Sequence, residues 1–139
     1  MVVLRSAFVF AADLVRFLKT PAAVDFVQLS SYGDGTNTSH EVSVVSDVSD
    51  PVIDREVLIV EDIIDTGCCM EFLVRRLRER GARDVKICAL LDKPSRREVE
   101  IEPDFVGFVI PDLFVVGYGI DYAQQFRCLP DICFIDVEE

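Results

Sequence analysis

Residues 57–69 read Val57-Leu58-Ile59-Val60-Glu61-Asp62-Ile63-Ile64-Asp65-Thr66-Gly67-Cys68-Cys69. Four apolar residues, three of them β-branched, make a buried strand and run straight into two adjacent carboxylates. Carboxylates at the carboxyl end of a strand lie where open α/β sheets bind ligands. The Thr66-Gly67 turn then opens a helical pattern. A small turn at a helix start offers free backbone N–H groups and the positive end of the helix dipole to a phosphate. Acids suited to sugar hydroxyls or a metal, beside such an anion nest, describe a sugar-phosphate site. The plainer alternative is that Glu61 and Asp62 only solvate a strand end.

Outward from this stretch, strand-like and helix-like segments alternate. Residues 2–4 predict a short strand. Ala7, Phe8, Phe10, Ala11, Leu14, Val15 and Leu18 then recur at helical spacing, so a helix ending near Lys19 and stopped by Pro21 is expected. Residues 24–29 predict a second strand, residues 30–40 a polar loop, and residues 41–45 a returning strand. Met70, Leu73, Val74 and Leu77 form a helical stripe that Gly81 should end. Residues 85–91, 105–110, 114–118 and 132–135 predict further strands. This alternation implies a mostly parallel, twisted α/β sheet flanked by helices. With no repeat, linker or low-complexity tract, one domain over residues 1–139 is expected.

The bulk properties narrow the function. Half of the 139 residues are hydrophobic, enough for a real core, yet no apolar run reaches the length of about 18 residues that spans a membrane. The opening Met-Val-Val-Leu-Arg-Ser-Ala lacks a signal-peptide pattern, and a cytoplasmic protein is expected. A net charge of −11 argues against a nucleic-acid surface. A polyanionic substrate would therefore need local donors and a divalent cation rather than the global field. The five cysteines are odd in number and form no Cys-x-x-Cys pair, and there is one His. Reduced thiols fit this better than zinc or disulfides.

The string from Val57 to Cys69 resembles the phosphoribosyl pyrophosphate (PRPP) motif of the type I phosphoribosyltransferases, in the wording of their hypoxanthine-guanine branch. Four more segments resemble that branch in order. Val3-Leu4-Arg5-Ser6-Ala7-Phe8 is similar to its pyrophosphate loop, and Leu29-Ser30-Ser31-Tyr32-Gly33 to its Ser-Tyr flap. Leu90-Leu91-Asp92-Lys93-Pro94 is similar to its purine-contacting Lys segment. Residues 103–127, with Ile110-Pro111-Asp112, Phe114-Val115-Val116-Gly117-Tyr118-Gly119 and Asp121-Tyr122, are similar to its purine hood, placed here at about residues 111–139.

The resemblance implies an Mg²⁺-dependent transfer of ribose 5-phosphate from PRPP to N9 of a 6-oxopurine, with release of pyrophosphate. It implies that Glu61 and Asp62 hold the ribose hydroxyls and contribute to metal binding, and that Asp65 is the acid–base residue near purine N7. Capping the next helix is the competing role for Asp65. Thr66, Gly67, Cys68 and Cys69 would cradle the 5-phosphate. Arg5, Ser6 and Arg127 would meet pyrophosphate, and Asp121 a pyrophosphate-bound Mg²⁺. Lys93 would donate to O6, Phe114 would stack on the base, and the backbone of Val115 would read its edge, Asp121 lying near the same pocket. Lys93 as a solvated cap, and Phe114 and Val115 as core residues, are the structural alternatives; for Val116 core is the expectation. Ser31 and Tyr32 belong to the implied flap, with His40 an exposed loop residue.

Three departures from the family pattern stand out. Cys69 occupies a usual Thr position, Ser6 a usual Gly position, and Met1 alone precedes the first strand where relatives carry a few tens of residues. The last predicts an exposed apolar patch, a homodimer or homotetramer, and activity below that of longer relatives. The vicinal Cys68-Cys69 pair also admits a redox role. The rival functions are a xanthine-preferring phosphoribosyltransferase and a non-catalytic paralogue that binds PRPP or nucleotides.

Overall fold

The computed structural model describes residues 1–32 and 41–135. Most of the expected flap, His40 included, lies outside the described residues; Ser31 and Tyr32 fall at the end of a strand. The elements run β1 (Val2–Leu4), α1 (Phe8–Val15), β2 (Phe26–Tyr32), β3 (Glu41–Ser46), β4 (Glu56–Ile64), α2 (Cys68–Glu79), β5 (Asp84–Asp92), β6 (Phe105–Val109), β7 (Val115–Val116) and β8 (Cys133–Phe134). A 3₁₀ turn, Pro94–Arg96, follows β5.

Six strands form one sheet in the order β3-β2-β1-β4-β5-β6. All its pairings are parallel except β2 with β3. The chain winds from β1 outward to β2, then returns to place β4 on the other side of β1. This reversal makes the carboxyl ends of β1 and β4 the switch point of the sheet, where open α/β folds form their ligand crevice.

Each helix forms because it has a face to bury. On α2, Met70, Leu73, Val74 and Leu77 are almost wholly buried against Ile59, Val85 and Ile87 of the sheet. Burying one such side chain contributes about 1.5–3 kcal/mol. Gly81, at φ +86°, ends α2 as the spacing predicts. Its N–H donates to Arg78 O at 3.0 Å and that of Ala82 to Leu77 O at 3.1 Å, which satisfies two carbonyls of the last turn. On the other face, Ala7 and Ala11 of the α1 segment pack on Val2 and Val60.

Four elements differ in extent from the sequence reading. Helix α1 stops at Val15 instead of Lys19. Beyond Val15 the chain is exposed, Phe17 at 80% and Leu18 at 41%, so an extra turn would gain little burial to stabilise it. Strand β4 continues through Glu61 and Asp62 to Ile64, because β5 pairs alongside it from Glu56↔Asp84 to Ile64↔Asp92. The strand expected over residues 114–118 shrinks to β7, since Gly117, Tyr118 and Gly119 all take positive φ. The run at 132–135 likewise keeps only β8, antiparallel to β7.

An apolar patch is present. Phe8, Val24 and Phe26 are about half exposed beside a cavity of about 810 Å³ that also involves Leu14, Val15 and Leu18. It lies under α1, and its lining includes the amino ends of β2 and β4, away from the switch point. Among the described residues no helix is long and apolar enough to cross a membrane.

Candidate active site

Two loops leave the switch point. After β1 the chain passes a cis Leu4–Arg5 peptide into Ser6 and Ala7. After β4 it passes Asp65 and Thr66 into Gly67, which adopts φ +87° and caps α2. A side chain at Gly67 would place its Cβ 2.5 Å from Ile101 Cγ2 and 2.9 Å from Arg97 Cδ, so Gly is required by both conformation and space. Thr66 Oγ1 accepts the Cys68 N–H at 3.4 Å. Cys68 and Cys69 open α2, half-buried, with their amides at its positive end. Burial, then Cys68 beside it, pushes the Cys69 thiol up.

Glu61 and Asp62 are each only 7% exposed, which overturns the alternative of a solvated strand end. They sit within β4, on successive residues of a ladder that β5 holds in place. The Asp62 N–H donates to Glu61 Oε1 at 3.1 Å. Burial, reinforced by the charge of Asp62, pushes the Glu61 carboxyl well above the ordinary glutamate range.

Asp65 is not the cap of α2; Gly67 holds that position. The Asp65 carboxylate instead accepts from Arg96 Nε at 3.1 Å, and its backbone carbonyl from Arg97 Nη1 at 2.9 Å. Arg97 also pairs with the buried Asp92. Lys93 is buried, not a solvated cap. Its N–H donates to Ile64 O at 2.9 Å, and its Nζ lies 3.7 Å from Asp112 Oδ1.

The hood supplies an aromatic pair. Phe114, 45% exposed, meets Tyr122 edge-to-face with ring centroids 5.2 Å apart. An exposed Phe114 is no core residue, whereas the Val115 and Val116 side chains are buried. Arg127 ties the hood to the β1 loop. Its Nη1 donates to Ser6 Oγ at 2.9 Å and to Gly119 O at 2.8 Å, while Nη2 lies 2.8 Å from Asp121 Oδ1. Gly119 completes the contact: a Cβ there would stand 2.5 Å from Ser6 O.

The expected metal residues are not gathered into one cage. Among the described residues no three His, Cys, Asp or Glu side chains cluster in a metal-holding arrangement. Asp121 is already engaged by Arg127 and by the Gln124 N–H at 2.8 Å. Arg96 and Arg97 were not singled out by sequence, and Asp92, Asp112 and Tyr122 entered only within quoted segments, with no role of their own. The signal was present in Lys93-Pro94-Ser95-Arg96-Arg97, where two guanidinium groups follow a strand that ends on Asp92.

A family model described as phosphoribosyl transferase domain matches residues 1–123. The chain is 49% identical over 130 residues to the hypoxanthine-guanine phosphoribosyltransferase of Bacillus subtilis, covering 94% of this chain and 72% of that protein. It is 51% identical over 127 residues to the hypoxanthine phosphoribosyltransferase of Salmonella typhimurium, covering 91% and 71%. The solved structure of a hypoxanthine-guanine phosphoribosyltransferase from Bacillus anthracis superposes with a TM-score of 0.92 at 44% identity, covering 97% of this chain and 79% of that one. A shared fold and near-half identity over most of both chains lead to one conclusion: the chain belongs to the phosphoribosyltransferase family, in its hypoxanthine-guanine branch.

Proposed function

We propose that the chain transfers ribose 5-phosphate from PRPP to N9 of hypoxanthine or guanine, giving the nucleotide and pyrophosphate, as a purine-salvage enzyme. One observation carries the reading. Ile64 and Asp92 are register partners on β4 and β5, so Asp65 and Lys93 leave adjacent strand ends side by side. A 6-oxopurine with its proton on N7 carries an acceptor, O6, beside a donor, N7–H, and neighbouring donor and acceptor groups are what that edge needs.

In this mechanism the α2 amides with Thr66, Gly67, Cys68 and Cys69 cradle the 5-phosphate. Glu61 and Asp62 accept from the ribose hydroxyls. Arg5, Ser6 and Arg127 face the pyrophosphate, with Arg127 also bracing the loop. Phe114 stacks on the base, the Val115 backbone reads its edge, and Lys93 donates to O6. Asp65 takes or shares the N7 proton as the anomeric carbon loses its pyrophosphate; such a group contributes roughly 10²–10⁴-fold. Ser31 and Tyr32, at the end of β2, belong to the Ser-Tyr segment that the family resemblance assigns to the flap.

The donor set fits Mg²⁺, which takes one or two carboxylates plus substrate phosphates rather than a dedicated protein cage. Those carboxylates would come from among Asp121, Glu61 and Asp62, and the ion would neutralise charge on the leaving pyrophosphate. We read residues 1–139 as one domain with its hood from about residue 111, working in the cytoplasm as a homodimer or homotetramer. The exposed apolar face under α1 supports a second copy as partner. Xanthine preference, or nucleotide binding without catalysis, are the rival readings.

Asp65→Asn tests the assignment. Nucleotide affinity should stay within a few-fold while single-turnover rate falls roughly 10²-fold. An unchanged rate would sink the role of Asp65.

A further inference from the structure

Between Asp65 and Lys93 lies a chain of alternating charges that the reaction above leaves without a task. Arg96 donates its Nε to Asp65 Oδ1 at 3.1 Å, and its Nη1 lies 3.8 Å from Asp112 Oδ2. The other Asp112 oxygen lies 3.7 Å from Lys93 Nζ. The order is therefore carboxylate, guanidinium, carboxylate, ammonium, from the acid–base residue to the base-reading residue.

We propose that Arg96 and Asp112 are positioning residues that couple purine docking at Lys93 to the release of Asp65. This rests on the assignment of Asp65 and Lys93 made above. Without purine, Lys93 holds Asp112 and Arg96 holds Asp65. A purine O6 that accepts from Lys93 draws Nζ away from Asp112. The freed carboxylate then competes for Arg96, which already lies between the two acids. Arg96 shifts toward Asp112, and the Asp65 carboxylate opens toward N7.

The energetics suit an exchange. The Arg96, Asp65 and Asp112 side chains are each about half exposed, so their pairs are weak and quickly traded. Lys93 is the buried member, its side chain 9% exposed, and it anchors the chain of charges at the end where the ligand arrives. The Asp65 backbone stays fixed throughout, because Arg97 holds its carbonyl at 2.9 Å and is itself tied to Asp92. Pro94 stiffens the turn that carries Arg96.

The coupling has a kinetic signature that a structural role lacks. Asp112→Asn removes the competitor for Arg96 and leaves Lys93 unpaired. It should lower the KM for hypoxanthine several-fold and lower kcat about ten-fold, because Asp65 stays clamped. Arg96→Gln removes the clamp and should keep kcat within about three-fold of the parent. In the double variant the clamp is absent, so kcat should return to about the Arg96→Gln value, a strong non-additivity. Arg96→Lys, which keeps the charge, controls for packing, with circular dichroism to confirm folding. A parental kcat in Asp112→Asn, or losses that multiply in the double variant, would overturn the coupling. Asp65→Asn separates the two levels. If it retains full turnover, the assignment of Asp65 itself falls; if it is slow while Asp112→Asn is unaffected, only the coupling falls.

Discussion

Arg127 Nη1 donates to Ser6 Oγ at 2.9 Å, joining residues 121 positions apart in sequence. The same guanidinium reaches Gly119 O, Asp121 and Gln124, so one side chain fastens the hood to the loop that follows β1. A serine at this loop position is thereby given a partner.

Arg127→Lys should break this arrangement. An ammonium cannot span the four acceptors that the planar fork reaches. The expected result is a KM for PRPP raised about ten-fold or more, with the sheet intact by circular dichroism. Ser6→Ala, which removes one acceptor only, should cost less than Arg127→Lys in the same assay. Equal PRPP kinetics in all three proteins would show that the bridge has no part in binding.

Glu61 makes stability depend on pH. Its carboxyl holds the proton to higher pH in the folded chain than in the unfolded one, through burial and then the Asp62 charge. Below the ordinary glutamate range both states are protonated and this contribution is complete. As pH rises above that range the unfolded chain ionises first, and the contribution is lost until the folded carboxyl ionises too. Glu61→Gln should therefore raise the melting temperature of the ligand-free protein by roughly a few degrees at pH 8 and by less at pH 5. Melting curves at both values check this; an equal shift at both would contradict it. If Glu61 ionises on meeting Mg²⁺–PRPP, calorimetry in two buffers should also show proton release.

The core of the fold was legible because periodicity reports burial directly. The α2 stripe from Met70 to Leu77 and the Gly81 stop follow from spacing and φ, and the structure keeps both. The α1 end is not legible in the sequence, because Leu18 fits the helical period but stays 41% exposed behind an exposed Phe17. Burial depends on neighbours that periodicity does not see. The same limit hid the setting of the site. Local sequence put Glu61 and Asp62 at a strand end, whereas pairing with β5 draws them inside the ladder. The ring of charges around Asp65 joins Arg96 and Arg97 across some thirty residues, a contact no local pattern encodes. The hood strands shortened because Tyr118, a non-glycine residue, joins Gly117 and Gly119 at positive φ.

Leu77 is 1% exposed and locks α2 to the sheet, while the candidate site lies at the other end of that helix. Leu77→Ala should cost about 2–5 kcal/mol in urea unfolding. Under conditions where the variant is folded, kinetic constants should stay within a few-fold of the parent. A loss of activity without a loss of stability would mean that α2 does more at its carboxyl end than carry the phosphate cradle.

The most direct measurement presents PRPP and Mg²⁺ with hypoxanthine, guanine, xanthine and adenine in turn, following nucleotide and pyrophosphate together. Lys93 can only donate, and a site built around a donor penalises a base that offers an amino group instead of O6. Stoichiometric nucleotide and pyrophosphate should form from hypoxanthine and guanine, and adenine should give neither. Adenine used as well as hypoxanthine, or PRPP bound with no nucleotide formed from any base, would contradict the assignment.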